Sequence, residues 1–206
     1  MKDASADDLS AFILVGGKSR RMGSDKAFLQ FEGRTLLERA LELARSITPD
    51  VRIVGSLEKF GKFGGVVEDI FCHCGPLAGI HAALRSSRTD LNLILAVDLP
   101  FVSPEFMKYL VGEARRTPGA LAVVPRADGR RQTLCAGYRR GFAEAAENAL
   151  GAGRNRIDVL FDSVPVRVIE EEELRHAGFF PAIFRNLNTP ADLEMAKSQA
   201  HEEVHP

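Results

Sequence analysis

The sequence predicts an α/β fold: a three-layer α/β/α sandwich with a Rossmann-like, mostly parallel sheet. Two observations carry this prediction. The run AFILV (11 to 15) is continuously apolar and LNLILAV (91 to 97) is apolar except at Asn92, as strands buried on both faces are, and each stops abruptly, at Gly16-Gly17 and at Asp98-Leu99-Pro100. Segments with helical spacing alternate with short β-branched runs, the rhythm of βαβ units.

Taken in order, the strand at 11 to 15 is followed by the helix TLLERALELARSI. There Thr35 and Glu38 form a capping box, and Leu37, Leu41, Ala44 and Thr48 share one face. VRIVG (51 to 55) reads as a strand, 57 to 62 as a helix, GVVED (65 to 69) as a strand and GPLAGIHAALRSS (75 to 87) as a helix. After the strand 91 to 97, Ser103 is an N-cap and Pro104 the first helical position of the next helix. LAVVP (121 to 125) and TLCAGY (133 to 138) read as strands around an RADGRR turn. GFAEAAENAL and NRIDVLFDS are helices, PVRVIE a strand, and NTPADLEMAKSQA a closing helix with Thr189 as its cap. Without an internal repeat or linker, residues 1–206 read as one domain, with 1–9 and 200–206 as flexible tails.

The chain has 206 residues, 45% apolar and 27% charged, enough for a sizeable core. A net charge of -1 offers nothing to nucleic acid or an anionic membrane, so any anion must be bound locally. Three cysteines are too few for a disulfide framework. The acidic start MKDASADDLS lacks a signal peptide's features, and no run approaches the ~20 apolar residues of a membrane helix. The expectation is a soluble, cytoplasmic protein.

Gly17-Lys18-Ser19 imitates the end of a P-loop, but the first glycine of that motif would fall at Phe12, inside the strand. A Gly-x-Gly-x-x-Gly fingerprint is also missing. The loop from Gly16 to Lys26 nevertheless holds Gly16, Gly17 and Gly23 with Lys18, Arg20, Arg21 and Lys26. Glycines let backbone N–H groups approach a phosphate, forked arginines grip its oxygens, and Lys26 adds a point charge. Asp98 follows the other doubly buried strand. In a doubly wound sheet the two strand ends flank the ligand crevice, so Asp98 should face the glycine loop. A carboxylate beside a polyphosphate is a natural Mg²⁺ ligand. Glu68 and Asp69 lie at another strand end, where either could accept hydrogen bonds from guanine N1–H and its 2-amino group.

With LVGGKSRRMGSDKAFL, EDIFCHCGPLAGIHAAL, Asp98-Leu99-Pro100 and NLNTPADL quoted in order, the chain resembles the molybdenum cofactor guanylyltransferases (MobA family). The resemblance covers residues 14 to 193, nearly the whole chain. It implies a fold of the nucleotide-diphospho-sugar transferase type, with GTP and molybdopterin as substrates and Mg²⁺ as cofactor. In the reaction GMP passes from GTP to the molybdopterin phosphate and pyrophosphate leaves. Molybdoenzymes or cofactor-delivery proteins would be partners. It also implies that Leu14, Val15, Gly16, Lys26, Asp69 and Asp98 bind GTP, with Asp98 holding the metal. Lys26, Arg21 and Asp98 would be catalytic, and Gly17, Arg21, Gly75, Gly79, Asn186 and Asn188 would line the molybdopterin side.

The sequence departs from that pattern at three points. Val15 replaces the usual Ala, Gly55 or Ser56 stands where Asn is common, and Gln132 precedes Thr133-Leu134 where Pro is common. A CTP-dependent cytidylyltransferase acting on the same pterin and a non-catalytic GTP or cofactor carrier are the alternatives. Cys72-His73-Cys74 lacks the further ligands of a zinc site. His81, His176, His201 and His205 lack a shared spacing. The Glu170 to Glu173 run reads as a solvated face, while Leu91, Leu93, Leu95, Val97, Phe12 and Ile13 read as core.

Overall fold

The computed structural model describes residues 8–15, 26–71, 74–187 and 192. Its first strand, β1 (Leu9–Leu14), pairs in parallel with β6 (Leu91–Ala96) on one side and β4 (Asp50–Val54) on the other. Outside β4 lies β5 (Gly65–Val67), also parallel. On the far side of β6 comes β9 (Cys135–Arg139), antiparallel to it, then β7 (Ala122–Ala127) and β10 (Val166–Ile169). The mostly parallel α/β sheet expected from the sequence is present, with β9 as the reversed strand. A turn at Asp128 and Gly129, both at positive φ, links β7 to the two-residue β8 (Arg130–Arg131). A separate small hairpin, β2 (Gln30–Phe31) and β3 (Arg34–Thr35), precedes the first helix.

Side-chain alternation along β1 builds the two helical layers. Leu9, Ala11 and Ile13 join a cluster with α1 (Leu36–Arg45) and α4 (Pro104–Arg116), while Phe12 and Leu14 join another with α3 (Pro76–Ser86) and α5 (Phe142–Gly151). Thr35 and Glu38 form the expected capping box on α1, and the Ser103 hydroxyl accepts the Phe106 N–H at the start of α4. Three short helices, α2 (Leu57–Phe60), α6 (Ile157–Leu160) and α7 (Glu171–His176), and three 3-10 turns (Lys26–Phe28, Gly61–Phe63 and Pro181–Phe184) complete the described elements. Among the described residues no helix is long and apolar enough to cross a membrane. The closing helix expected from Thr189 and the tail from residue 200 lie outside the described residues.

Three expectations need correction. Leu9 belongs to β1 and is buried, not part of a tail. Ser10 disguises the strand's start because it is polar, yet it is fully buried and bonded: its Oγ donates to Asp50 Oδ2 at 2.6 Å and lies 2.8 Å from Thr89 Oγ1. The third strand stops at Val67, two residues early, because Glu68 turns back to accept the Leu57 N–H at 3.0 Å and Asp69 accepts the Phe71 N–H at 2.8 Å. The Glu170 to Glu173 run is not a plain solvated face either. Glu170 and Glu173 form a capping box, Glu171 accepts the Asp128 N–H, and Glu173 pairs with Arg167.

The polar cluster at the amino ends of β1, β4 and β6 supplies a stability test. Burial pushes the Asp50 carboxyl up, but hydrogen bonds from Ser10 and Arg52 outweigh it and hold the group below its ordinary value. That stabilisation is present above the ordinary carboxylate value and is lost as pH falls through the lower folded-state value. Ser10→Ala should reduce urea-measured stability by about 1–3 kcal/mol at neutral pH, since it strips partners from part-buried groups. The loss should shrink in acid; a loss independent of pH would remove Asp50 from the account.

Candidate functional site

The parallel ladder between β1 and β6 continues one residue beyond the strands: the Val97 N–H donates to Leu14 O at 3.1 Å. Asp98 therefore leaves the carboxyl edge of the sheet beside Val15. This is where the sheet's connections diverge, since β1 leads toward β4 on one side and β6 toward β7 on the other. Asp98 is also held from behind, because the Leu187 N–H donates to its carbonyl at 3.0 Å and Leu187 is fully buried.

Lys26 returns to this edge on a 3-10 turn (Lys26–Phe28) whose Ala27 is buried. Its Nζ lies 3.2 Å from Asp98 Oδ2, with the two side chains 25% and 19% exposed. A cation and a carboxylate thus sit together, partly shielded, at the switch point. Such a pair offers one charge to a phosphate and the opposite charge to a divalent cation.

On the β5 side, Glu68 is engaged at the start of α2, whereas Asp69 stands half-buried in the loop that follows. Burial pushes the Asp69 carboxyl above its ordinary value, partly offset by the Phe71 N–H and by the charge of His81. Gly75 opens α3 at φ 75°, the left-handed region that favours glycine, and is exposed. Asn186 is exposed beside the buried Leu187. Gly79 differs from the expectation of a pterin-lining residue: it is buried, and a Cβ there would meet Leu14 Cδ2 at 3.3 Å and Val54 Cγ1 at 3.6 Å. Its contribution is close packing of α3 on the sheet. Gly16, Gly17, Arg21 and Asn188, like the Cys72-His73 pair, lie outside the described residues.

The structure joins two of the departures noted in the sequence. A Cβ on Gly55 would stand 2.5 Å from Val15 Cγ2 and 3.2 Å from the Phe60 ring. The valine fills the space that a side chain at position 55 would need. Gln132 is placed by its N–H to Pro125 O at 2.8 Å, and Leu134 O accepts the Ala96 N–H at 2.7 Å, so this loop is tied to β6 just before Asp98.

Sequence reasoning missed the Leu187 clamp on Asp98, although Asn186-Leu187-Asn188 carried a signal: polar, apolar, polar is the pattern of an extended segment with one inward residue. It also missed the Val15–Gly55 contact, which joins residues on different strands. A cleft of about 460 Å³ lies on the α1 side of the 97–104 segment, lined by residues including Arg34, Arg39, Leu99 and Pro104. Neither Lys26 nor Asp98 lines it, so it flanks the switch point without containing the charged pair.

A match to the MobA-like NTP transferase domain family spans residues 11–168. The chain is 35% identical over 190 residues to a probable molybdenum cofactor guanylyltransferase of Pelotomaculum thermopropionicum, covering 91% of each. It is 34% identical to a molybdenum cofactor guanylyltransferase of Desulfosudis oleivorans, covering 93% of this chain and 96% of that one. Among solved structures it resembles molybdopterin-guanine dinucleotide biosynthesis protein A of Archaeoglobus fulgidus, with 29% identity, a TM-score of 0.80, and coverage of 94% of this chain and 99% of that one. A 2-C-methyl-D-erythritol 4-phosphate cytidylyltransferase of Thermus thermophilus, 23% identical with a TM-score of 0.67 over 94% of this chain and 99% of that one, shares the fold.

The Val15–Gly55 contact is testable by a double-mutant cycle. Gly55→Ala should cost about 1–3 kcal/mol by overpacking. In a Val15→Ala background the same change should cost far less, giving a coupling of at least about 0.5 kcal/mol in denaturant unfolding. Additive losses would show that the two positions do not share this space.

Proposed function

This chain belongs to the MobA-like NTP transferase family, and from that membership we propose that it transfers GMP from GTP to the terminal phosphate of molybdopterin. A phosphate oxygen of the pterin forms the new bond to the α-phosphorus of GTP, the bond between the α- and β-phosphates breaks, and pyrophosphate leaves. The product is molybdopterin guanine dinucleotide. The observation that carries this reading is the Lys26–Asp98 pair at the end of the paired strands β1 and β6.

A phosphate nucleophile is already ionised near neutral pH, so the chain has no proton to remove and its work is positioning and charge stabilisation. Lys26 and Arg21 supply cations to the triphosphate, with Leu14, Val15 and Gly16 along the same edge. Asp69 accepts the two donors of the guanine edge, N1–H and the 2-amino group. Cytosine offers a single exocyclic amino donor there, so a carboxylate in this place favours GTP over CTP. Gly17, Gly75, Asn186 and Asn188 are the residues assigned to the pterin side by that membership, and the N-terminus of α3 behind Gly75 is electropositive.

Asp98 suits a magnesium ion. It is a hard, partly exposed oxygen donor, and no group of three His, Cys, Asp or Glu side chains gathers among the described residues, so phosphate oxygens and water would complete the shell. Bound there, the ion would neutralise charge that develops on the departing pyrophosphate. We assign the reaction to the cytoplasm on the chain's low cysteine content, with residues 1–206 acting as one unit that receives pterin from, and passes product to, other proteins of the pathway.

Incubation with GTP, Mg²⁺ and molybdopterin, followed by mass analysis, should yield the dinucleotide and pyrophosphate. A clear preference for CTP, or binding without turnover, would contradict the proposal. Asp98→Ala should abolish pyrophosphate release while the circular dichroism spectrum is retained; full activity would end the metal assignment. Lys26→Ala should weaken GTP binding by roughly 1.5–3 kcal/mol through loss of a charge-assisted contact. Unchanged affinity in calorimetry would contradict that role.

A further inference from the structure

The turn that carries Lys26 ends in an aromatic ring that the core does not need. Ala27, its middle residue, is buried, whereas Phe28 is 39% exposed and belongs to neither core cluster. A ring so open to solvent adds little to the apolar burial that joins the helices to the sheet. Its position is nonetheless defined. It stacks on Phe60 of α2, with centroids 5.7 Å apart and planes inclined by 23°, and it meets the Phe63 ring at 5.9 Å. Both separations lie in the range over which aromatic pairs attract.

The partner of Phe28 is itself fixed. Phe60 is buried, and its ring would stand 3.2 Å from a Cβ on Gly55, so α2 is packed against the carboxyl end of β4. At the start of the same helix, the Leu57 N–H donates to Glu68 Oε1 at 3.0 Å, just beyond the end of β5. The Phe60 N–H donates to Ser56 O at 3.0 Å and closes the single turn. α2 is thus a platform joined to two neighbouring strand ends.

The Lys26 turn needs such a platform. It is closed by the Leu29 N–H, which donates to Lys26 O at 3.0 Å. A lysine acts through a flexible four-carbon stem, so its ammonium is only as well placed as the backbone from which it starts. Nζ now lies 3.2 Å from Asp98 Oδ2. Misplacing a working group by about 1 Å can cost about a hundredfold in rate, and here it would part the ammonium from the carboxylate.

We propose that Phe28 is a positioning residue for Lys26: its stack on Phe60 fixes the turn from which the lysine reaches the Asp98 edge, and it acts on the nucleotide through Lys26 alone. This rests on the guanylyl-transfer reading, in which Lys26 binds the triphosphate.

The test measures GTP affinity by calorimetry for Phe28→Leu, which keeps an apolar side chain without the ring, and for Phe28→Tyr, which keeps the ring. Phe28→Leu should weaken binding about twofold to tenfold, the value of one aromatic pair, and Phe28→Tyr should bind as the unaltered protein does. In a Lys26→Ala background, Phe28→Leu should cause no further loss. The same loss in both backgrounds would mean that the ring acts apart from Lys26 and would overturn the proposal. So would unchanged affinity in Phe28→Leu, or a Phe28→Tyr as weak as Phe28→Leu. A second arm needs no nucleotide. Asp98→Asn should shift the Cε and Nζ resonances of Lys26 in the unaltered protein and in Phe28→Tyr, and should shift them less in Phe28→Leu. Equal shifts in all three would show that the Lys26–Asp98 contact survives without the ring, against the proposal. If the protein binds no GTP, the guanylyl-transfer reading fails by itself, and these resonances still decide whether Phe28 places Lys26.

Discussion

The parallel pairing of β1 with β6 is the constraint on which the rest of the structure depends. Its register sets Leu14 opposite Ala96, and one further hydrogen bond carries the ladder to Val97. Asp98 must then emerge beside Val15, whatever the loops do. Because the chain leaves the two strands in opposite directions across the sheet, a crevice opens at their ends. The chain brings Lys26 back to those strand ends on a short turn, and the Leu187 N–H holds the Asp98 carbonyl.

Small residues make that edge possible. Gly79 lets α3 approach Leu14 and Val54, and Gly55 yields its space to Val15. Among the described residues the edge is walled by close backbone and aliphatic contacts, and Lys26, Asp98 and Asp69 bring charge to it. A true P-loop would envelop the β- and γ-phosphates for terminal transfer. Nucleotidyl transfer requires that pair to depart together, which an open edge with paired charges allows. A cytidylyltransferase of low identity shares this fold, so the fold by itself names no base.

What the sequence disclosed was local. The capping box at Thr35 and Glu38, the Ser103-Pro104 helix start and the two doubly buried strands depend on neighbours within a few residues, and all are present. The fold class and the position of Asp98 at the end of a central strand followed from them. What it concealed was nonlocal. Ser10 looks like a loop residue until Asp50 and Thr89 are brought beside it. The reversal of β9 is a matter of pairing partner, not of strand propensity. The Glu170 to Glu173 run seemed solvated because its partners, Asp128 and Arg167, belong to a turn and an adjacent strand.

Whether the ends of β1 and β6 form a single nucleotide site can be read most directly from a crystal of the protein grown with GTP and magnesium. The account requires the triphosphate between the segment following Val15 and Asp98, with Lys26 on its oxygens and the divalent ion on the Asp98 carboxylate. Nucleotide seated instead in the cleft between α1 and the 97–104 segment, or metal and phosphates in separate places, would contradict it.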